Sequence, residues 1–489
     1  MIDLHLPGKA AIFLATLALP LATLAQTPAN QPVKITVNAV FPPLSYLPYP
    51  GTQYANDFLK YVATSPLVDG VNPVLLWSMV DKGPTNPGGQ YDWSEYDAVI
   101  KPYIDLGKTV NLLVWTISTV GANSDNYANH ATPIYVMKLV DTVTCAQFPG
   151  DGMHAGNYPI VWEAGFKENY EKFITQVLRH YEGNPHIGYI RFGISGGAAI
   201  YPNCEGAQEK YLPAGETFEQ ALLNFDSDIL SYVKSQNPTL PIIAPFAAFQ
   251  DHFAYSKAEA ANGIANGFGL GYQGLRSADI ASYPDCTGDW CNLFNQYSTL
   301  PIKPPFELQT VGQSDPSATC TPSCWDGVQQ QTGPLPQVLS FAVGHHARIF
   351  EVYGNDLLLA LDPNYPGYAD YHAQYQHALS AVHLGKPSSI NISPTSLTFS
   401  KLKVGSSSAP VMLTVTYTGV NKMAFSGVSV VGDFSETNDC LTQVLAPNQQ
   451  CTVWVTFKPT ATGKRGGLLR FADGDAWSPQ TVGLIGTGD

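Results

Sequence analysis

Charge is scarce in this chain. Only 13% of its 489 residues are Asp, Glu, Lys or Arg, about half the ~25% usual in soluble domains. That scarcity excludes a coiled coil, whose heptads are rich in Glu, Lys and Arg. The charge present leans acidic: 25 basic against 39 acidic residues leave −14. A surface of that sign repels phosphate, so no nucleic-acid partner is expected. Long apolar runs are lacking after residue 25, so no membrane span is expected there. A Gly-rich phosphate loop is lacking too. Phe41-Pro42-Pro43 follows the first strand candidate, which removes support for dinucleotide binding. Histidines and cysteines do not fall at metal-ligand spacings, so neither a metal nor a cofactor is expected.

What the chain does have is glycine (43), proline (38) and aromatics (11%). Such a composition describes a loop-rich globular protein rather than a disordered one. Lys9, the apolar run that follows it and Thr23-Leu24-Ala25 read as an export signal over 1–25. A secreted mature chain starting at Gln26 is the expectation. Eight cysteines suit that oxidising route. The short spacings Cys286–Cys291, Cys320–Cys324 and Cys440–Cys451 suggest disulfide loops, which leaves Cys145 and Cys204 as a fourth pair.

Over residues 26–386, apolar β-branched runs alternate with helical patterns. The strand candidates are Ile35–Val40, Pro73–Met79, Thr109–Thr116, Ile187–Ile194, Pro241–Phe246, Gly267–Tyr272, Pro305–Val311 and Ala347–Tyr353. Helix candidates with 3.6-residue spacing include Tyr96–Leu106, Asn169–Tyr181 and Phe218–Gln236. This alternation predicts an α/β fold of the (β/α)8 TIM-barrel type, with a doubly wound sheet as the other possibility. From 387 to 489 the pattern switches to alternating strands between Gly, Asn and Ser turns. That segment predicts an all-β immunoglobulin-like sandwich.

In such a barrel, reactive groups stand at the carboxyl ends of strands. Carboxylates, aromatics and amides cluster at those positions here: Trp77 and Asp81, Asn111 and Trp115, Trp162 and Glu163, Tyr201 and Glu205, Asp251, Tyr272 and Gln273, Glu307 and Gln309, Glu351 and Tyr353. Aromatic rings pack on the apolar faces of sugars, and acids and amides pair with hydroxyls. Cleaving a glycosidic bond takes two carboxyl groups. Glu307 stands out because it interrupts the apolar run Pro305-Phe306-Glu307-Leu308, where a charge is costly without a purpose or partner. Glu351, between Phe350 and Val352, has a similar setting, with Arg348 and Lys303 as available ion-pair partners. Gly193-Ile-Ser195-Gly-Gly197 fits the G-x-S-x-G pattern of an esterase elbow, but Tyr201-Pro202 prevents the helix that should follow.

Val74-Leu-Leu-Trp77, Gly89-Gln-Tyr-Asp-Trp-Ser-Glu-Tyr-Asp97 and Gly107-Lys-Thr-Val-Asn-Leu-Leu-Val-Trp115 resemble the opening repeats of clan-A-type glycoside hydrolases. Phe166–Tyr181 followed by Ile187-Gly-Tyr-Ile-Arg-Phe-Gly193 continues the resemblance. Near the C-terminus, Ile392-Ser-Pro-Thr-Ser-Leu-Thr-Phe399, Ala446-Pro-Asn-Gln-Gln-Cys451 and Gly483-Leu-Ile-Gly-Thr-Gly488 resemble the choice-of-anchor D group of bacterial Ig-like modules. The first resemblance implies a glycosidase with a nucleophile glutamate on the seventh strand and an acid/base glutamate after the fourth. Glu307 matches the former. The latter is missing, because Gly193–Pro202 contains no carboxylate. Glu351, Glu205 and Glu163, in that order, are the substitutes to examine. The function expected is therefore a secreted glycoside hydrolase acting on a carbohydrate. The alternative is a non-catalytic glycan binder on a degenerate barrel, with a serine esterase third. Sugar, linkage and oligomeric state stay open. So does stereochemistry, since carboxyl separations of about 5 Å (retaining) and about 6.5–9.5 Å (inverting) cannot be read from sequence.

Overall fold

The structure, a computed structural model, describes residues 34–40, 58–116, 131–145, 156–194, 205–247, 253–275, 307–310, 335–345, 347–365, 367–385, 387–394 and 396–489. Its first part is built on one eight-stranded sheet. The strands are β1 (Lys34–Val40), β2 (Gly70–Leu76), β3 (Thr109–Trp115), β6 (Ile187–Arg191), β7 (Ile243–Ala247), β8 (Gly269–Leu275), β9 (Glu307–Thr310) and β10 (Ile349–Tyr353). Each overlaps one of the eight strands expected from sequence. Two short strands missing from that expectation, β4 (Thr142–Cys145) and β5 (Gly156–Pro159), form a separate hairpin.

The sheet order is β6-β3-β2-β1-β10-β9-β8-β7, and its pairings are parallel. The first and last strands of that order also touch. Ile190 and Ile242 form one parallel bridge, and Ile190 N–H donates to Pro241 O at 2.9 Å. Strands buried on both faces read as continuous apolar runs, and all seven residues of β2 are buried.

Longer helices cover one side of this sheet: α1 (Ser94–Asp105), α2 (Ala164–Tyr181), α3 (Phe218–Ser235), α4 (Phe253–Ala265), α5 (Leu335–Gly344), α6 (Gly354–Leu361) and α7 (Tyr368–Val382). In α2 the residues at helical spacing, among them Phe166, Tyr170, Phe173, Val177 and Tyr181, are the buried ones. Thr217 caps α3 by accepting Gln220 N–H, so one orphan donor of the first turn is satisfied.

The C-terminal part is all-β. Its strands are β11 (Ile390–Ser393), β12 (Ser396–Thr398), β13 (Val411–Tyr417), β14 (Gly427–Gly432), β15 (Phe434–Asn438), β16 (Gln450–Phe457), β17 (Gly463–Ala472) and β18 (Gln480–Gly488). They form two four-stranded sheets, β11-β13-β16-β15 and β12-β18-β17-β14. Leu413, Val415, Val453, Val455, Leu469 and Phe471 meet in the shared apolar cluster. The expected Cys440–Cys451 disulfide is present. Cys286, Cys291, Cys320, Cys324 and Cys204 lie outside the described residues, as does the side chain of Cys145.

The two parts are packed together. Leu468 and Trp477 belong to the apolar cluster of the first part. Arg470 Nε donates to Gln374 Oε1 of α7 at 3.1 Å, and His377 Nε2 donates to Ala476 O at 2.7 Å. Asp475 tethers the connecting segment by accepting from Ser388 Oγ at 3.1 Å and Ser389 N–H at 3.0 Å.

Candidate active site

Alternation along β10 places Phe350 and Val352 in the helix-facing cluster. Ile349 instead joins Tyr189 and Ile243 in a small separate cluster on the other face. Glu351 shares the face of Ile349 and is fully buried. A bare carboxylate there would be very costly, and three residues prevent that. Arg191 Nη1 donates to both carboxylate oxygens at 3.1 and 3.2 Å. The Tyr189 hydroxyl donates to Oε1 at 2.9 Å, and Asn72 Nδ2 donates to the same oxygen. The network extends one strand further, with Asn111 Nδ2 donating to Asn72 Oδ1 at 2.7 Å.

The backbone makes room for this cluster. A Cβ on Gly188 would come within 2.3 Å of Asn111 Oδ1, so only glycine leaves Asn111 its position. The β3–β6 register shifts at this point, between Val110 and Leu112. Two residues beyond Glu351, at the carboxyl end of β10, Tyr353 is half-buried, and Trp115 is half-buried at the carboxyl end of β3. Ligands of parallel α/β sheets bind at this end of the strands.

Among the described residues, Arg191, Tyr189 and Asn72 donate to Glu351, and its carboxyl accepts from each of them. This arrangement suits a residue that fixes Arg191 and Asn72. Buried polar residues inside apolar strands also marked Asn72, Tyr189 and Arg191. It is the same signal that singles out Glu307.

Several expected sugar contacts occupy other places. Trp77 is fully buried on a one-turn helix, Trp77–Val80, with its ring 5.5 Å from Phe173 and 5.6 Å from Phe166. Its face is taken by the helix layer, so it offers no platform. Asp81, also fully buried, accepts from Trp77 Nε1 at 3.0 Å, Gly83 N–H at 3.0 Å, Gln90 Nε2 at 3.2 Å and the Tyr135 hydroxyl at 2.8 Å. With its oxygens spent on the protein, Asp81 is a staple. Burial first, then the Asp81 charge, holds the Tyr135 hydroxyl well above the usual tyrosine range. Tyr272 is buried 5.3 Å from Phe246 in the helix-facing cluster, on the opposite face from Gly271 and Gln273 by alternation.

Glu163 precedes α2 and accepts Asp141 N–H at 2.9 Å. Partial burial is the main cause raising its carboxyl above the usual range. Trp162 beside it is half-buried, its Nε1 donating to Tyr211 O at 2.8 Å. Glu205 opens a one-turn helix, Glu205–Gln208. Glu307 opens β9, in register with Ile349 and Gly271, and Gln309 is in register with Glu351 and Gln273. The side chains of Glu205, Gln273, Glu307 and Gln309 lie outside the described residues, as do Ser195, Tyr201 and Asp251 altogether.

No family model matches the sequence, and no curated protein matches it. Solved structures do show likeness. One is the endo-β-1,4-mannanase from Thermotoga petrophila, at 11% identity and TM-score 0.48, over 94% of this chain and 100% of that one. Another is the catalytic domain of β-amylase from Paenibacillus polymyxa, at 11% identity and TM-score 0.41, over 66% of this chain and 92% of that one. A third is β-galactosidase from the psychrophilic Marinomonas ef1, at 9% identity and TM-score 0.38, over 65% and 53%. At such identities and scores, the chemistry of this chain has to be argued from its own residues.

Proposed function

We propose that the chain is an exported glycoside hydrolase. In this reading the Ile190–Ile242 bridge closes the parallel sheet into a (β/α)8 barrel, and the C-terminal part is an Ig-like accessory domain. The carrying observation is a polar, charge-paired interior, Glu351–Arg191–Asn72, with half-buried Tyr353 and Trp115 at the carboxyl ends of β10 and β3. Apolar side chains would fill that interior at lower cost if stability were all that counted. Aromatic rings beside amides and carboxylates are the chemistry that sugars require.

Glu307 serves as the nucleophile, and Glu351 acts as a positioning residue. The proton comes from Glu163 or Glu205. Glu163 is the better supported, because burial already favours its protonated form. The test is hydrolysis by the purified chain across polysaccharides and aryl glycosides. Glu307→Gln is expected to cost ~100-fold or more in kcat/KM, and a variant within tenfold of wild type rejects the assignment.

The reading of a non-catalytic glycan binder is favoured by one specific observation. Gly193–Pro202 supplies no carboxylate, while Glu351 is fully engaged. Binding of an oligosaccharide without turnover of any substrate in the panel would select it.

A further inference from the structure

The outer face of the β11-β13-β16-β15 sheet has an unusual surface. Val453 and Val455 point into the sandwich, so Trp454 between them points out, with 37% of its surface exposed. Directly opposite stand Met412 of β13, 57% exposed, and Thr437 of β15. Thr452 and Thr456 flank the ring along its own strand, roughly 6.5–7 Å to either side. Thr414 pairs with Thr452. The remaining outward positions of these strands are Asn, Ser, Thr and Gln, and none of them is charged.

Charge is scarce along the whole chain, so what marks this face is the exposed indole at the centre of a row of hydroxyl and amide side chains. Among the described residues, the other sheet of the sandwich is the one that packs on the first part, through Leu468 and Arg470 of β17.

We propose that this face is a binding platform for a neutral polysaccharide chain, with Trp454 as the stacking ring and the threonine hydroxyls as its hydrogen-bonding rim. Charge decides among occupants. A chain of net charge −14 that keeps one face uncharged matches a neutral ligand. Anionic lipid or nucleic acid would require Lys and Arg, and the face has none. A stable protein interface has a larger apolar centre than one Trp and one Met among hydroxyls. The proposal stands on the face alone and holds even if the barrel proves inert.

The test is pelleting of the full chain with insoluble cellulose, chitin, mannan or starch granules. Wild type is expected to pellet with at least one of them. Trp454→Ala should weaken that binding about tenfold, and Trp454→Phe should weaken it less. Thr437→Lys, an exposed change that leaves the core intact, should also weaken it. Glu307→Gln should pellet like wild type, and Trp454→Ala should leave turnover of any soluble aryl glycoside unchanged, which separates this site from the barrel. The proposal is overturned if wild type pellets with none of the four, or if Trp454→Ala and Thr437→Lys bind as wild type does. It is equally overturned if light scattering shows that Trp454 holds a dimer while no polysaccharide is bound.

Discussion

In the parallel sheet, the face turned away from the helices carries Asn72, Asn111, Tyr189, Arg191 and Glu351, all buried. In the C-terminal sandwich the enclosed faces carry Leu413, Val415, Val453, Val455, Leu469 and Phe471, and in β13 and β16 the polar residues lie on the other face. Both faces are buried. One uses shape and apolar area for stability. The other spends desolvation free energy on a charge pair that an apolar core would avoid. The proposed function places the site at the polar face for that reason.

Breaking the charge pair should have the largest effect. Glu351→Leu takes the carboxylate away from the buried Arg191 guanidinium and from Tyr189 and Asn72, which should cost about 3–5 kcal/mol in urea unfolding. Adding Arg191→Met should restore most of that loss. If the single variant unfolds like wild type, the contrast between the two interiors is not energetic.

The joint between the regions comes next. Trp477 is 2% exposed and sits in the cluster of the first part although its loop belongs to the second. Trp477→Ala should cost about 3 kcal/mol and split one thermal transition into two in calorimetry. A single unsplit transition would show that the regions are coupled elsewhere.

A smaller effect should stay within the sandwich. Replacing Cys440 and Cys451 by Ser opens a loop of sequence separation 11 and should cost about 2–3 kcal/mol. The transition of the first part should not move.

The smallest effect depends on pH. Asp473 is mostly buried, which raises its carboxyl to about 6 from 3.8. A raised carboxyl favours the protonated form in the folded state. The favourable term is complete below about pH 4 and is lost as pH rises through 6. Asp473→Asn keeps the oxygen that accepts Asp475 N–H at 2.7 Å. The variant should melt a few degrees higher at pH 7 and unchanged at pH 4. A gain at pH 4 but not at pH 7 would reverse the assigned sign.

The eight strands of the parallel sheet were legible because strands buried on both faces are continuous apolar runs, and eight such runs stand between helical patterns. The β4–β5 hairpin was not, since four-residue strands carry too little pattern to register. At the site, legibility followed alternation. Glu351 and Tyr353 fall on the inner face, whereas Tyr272 is one residue out of phase and joins Phe246 among the helices. Strand parity alone could have shown this. Trp77 lies past the strand on a helical turn, where period-2 reasoning stops and only the packing of Phe166 and Phe173 determines its direction. Asp81 shows the same limit. Its partners Gln90 and Tyr135 are 9 and 54 residues away, and no local spacing announces them.

The reading of the first region as a hydrolase depends most on Glu307. The direct measurement is azide rescue of Glu307→Ala on whichever aryl glycoside the wild type cleaves. The expected result is turnover lost by ~100-fold or more and restored by azide, with a glycosyl azide as product. Turnover within tenfold of wild type in the absence of azide would contradict it.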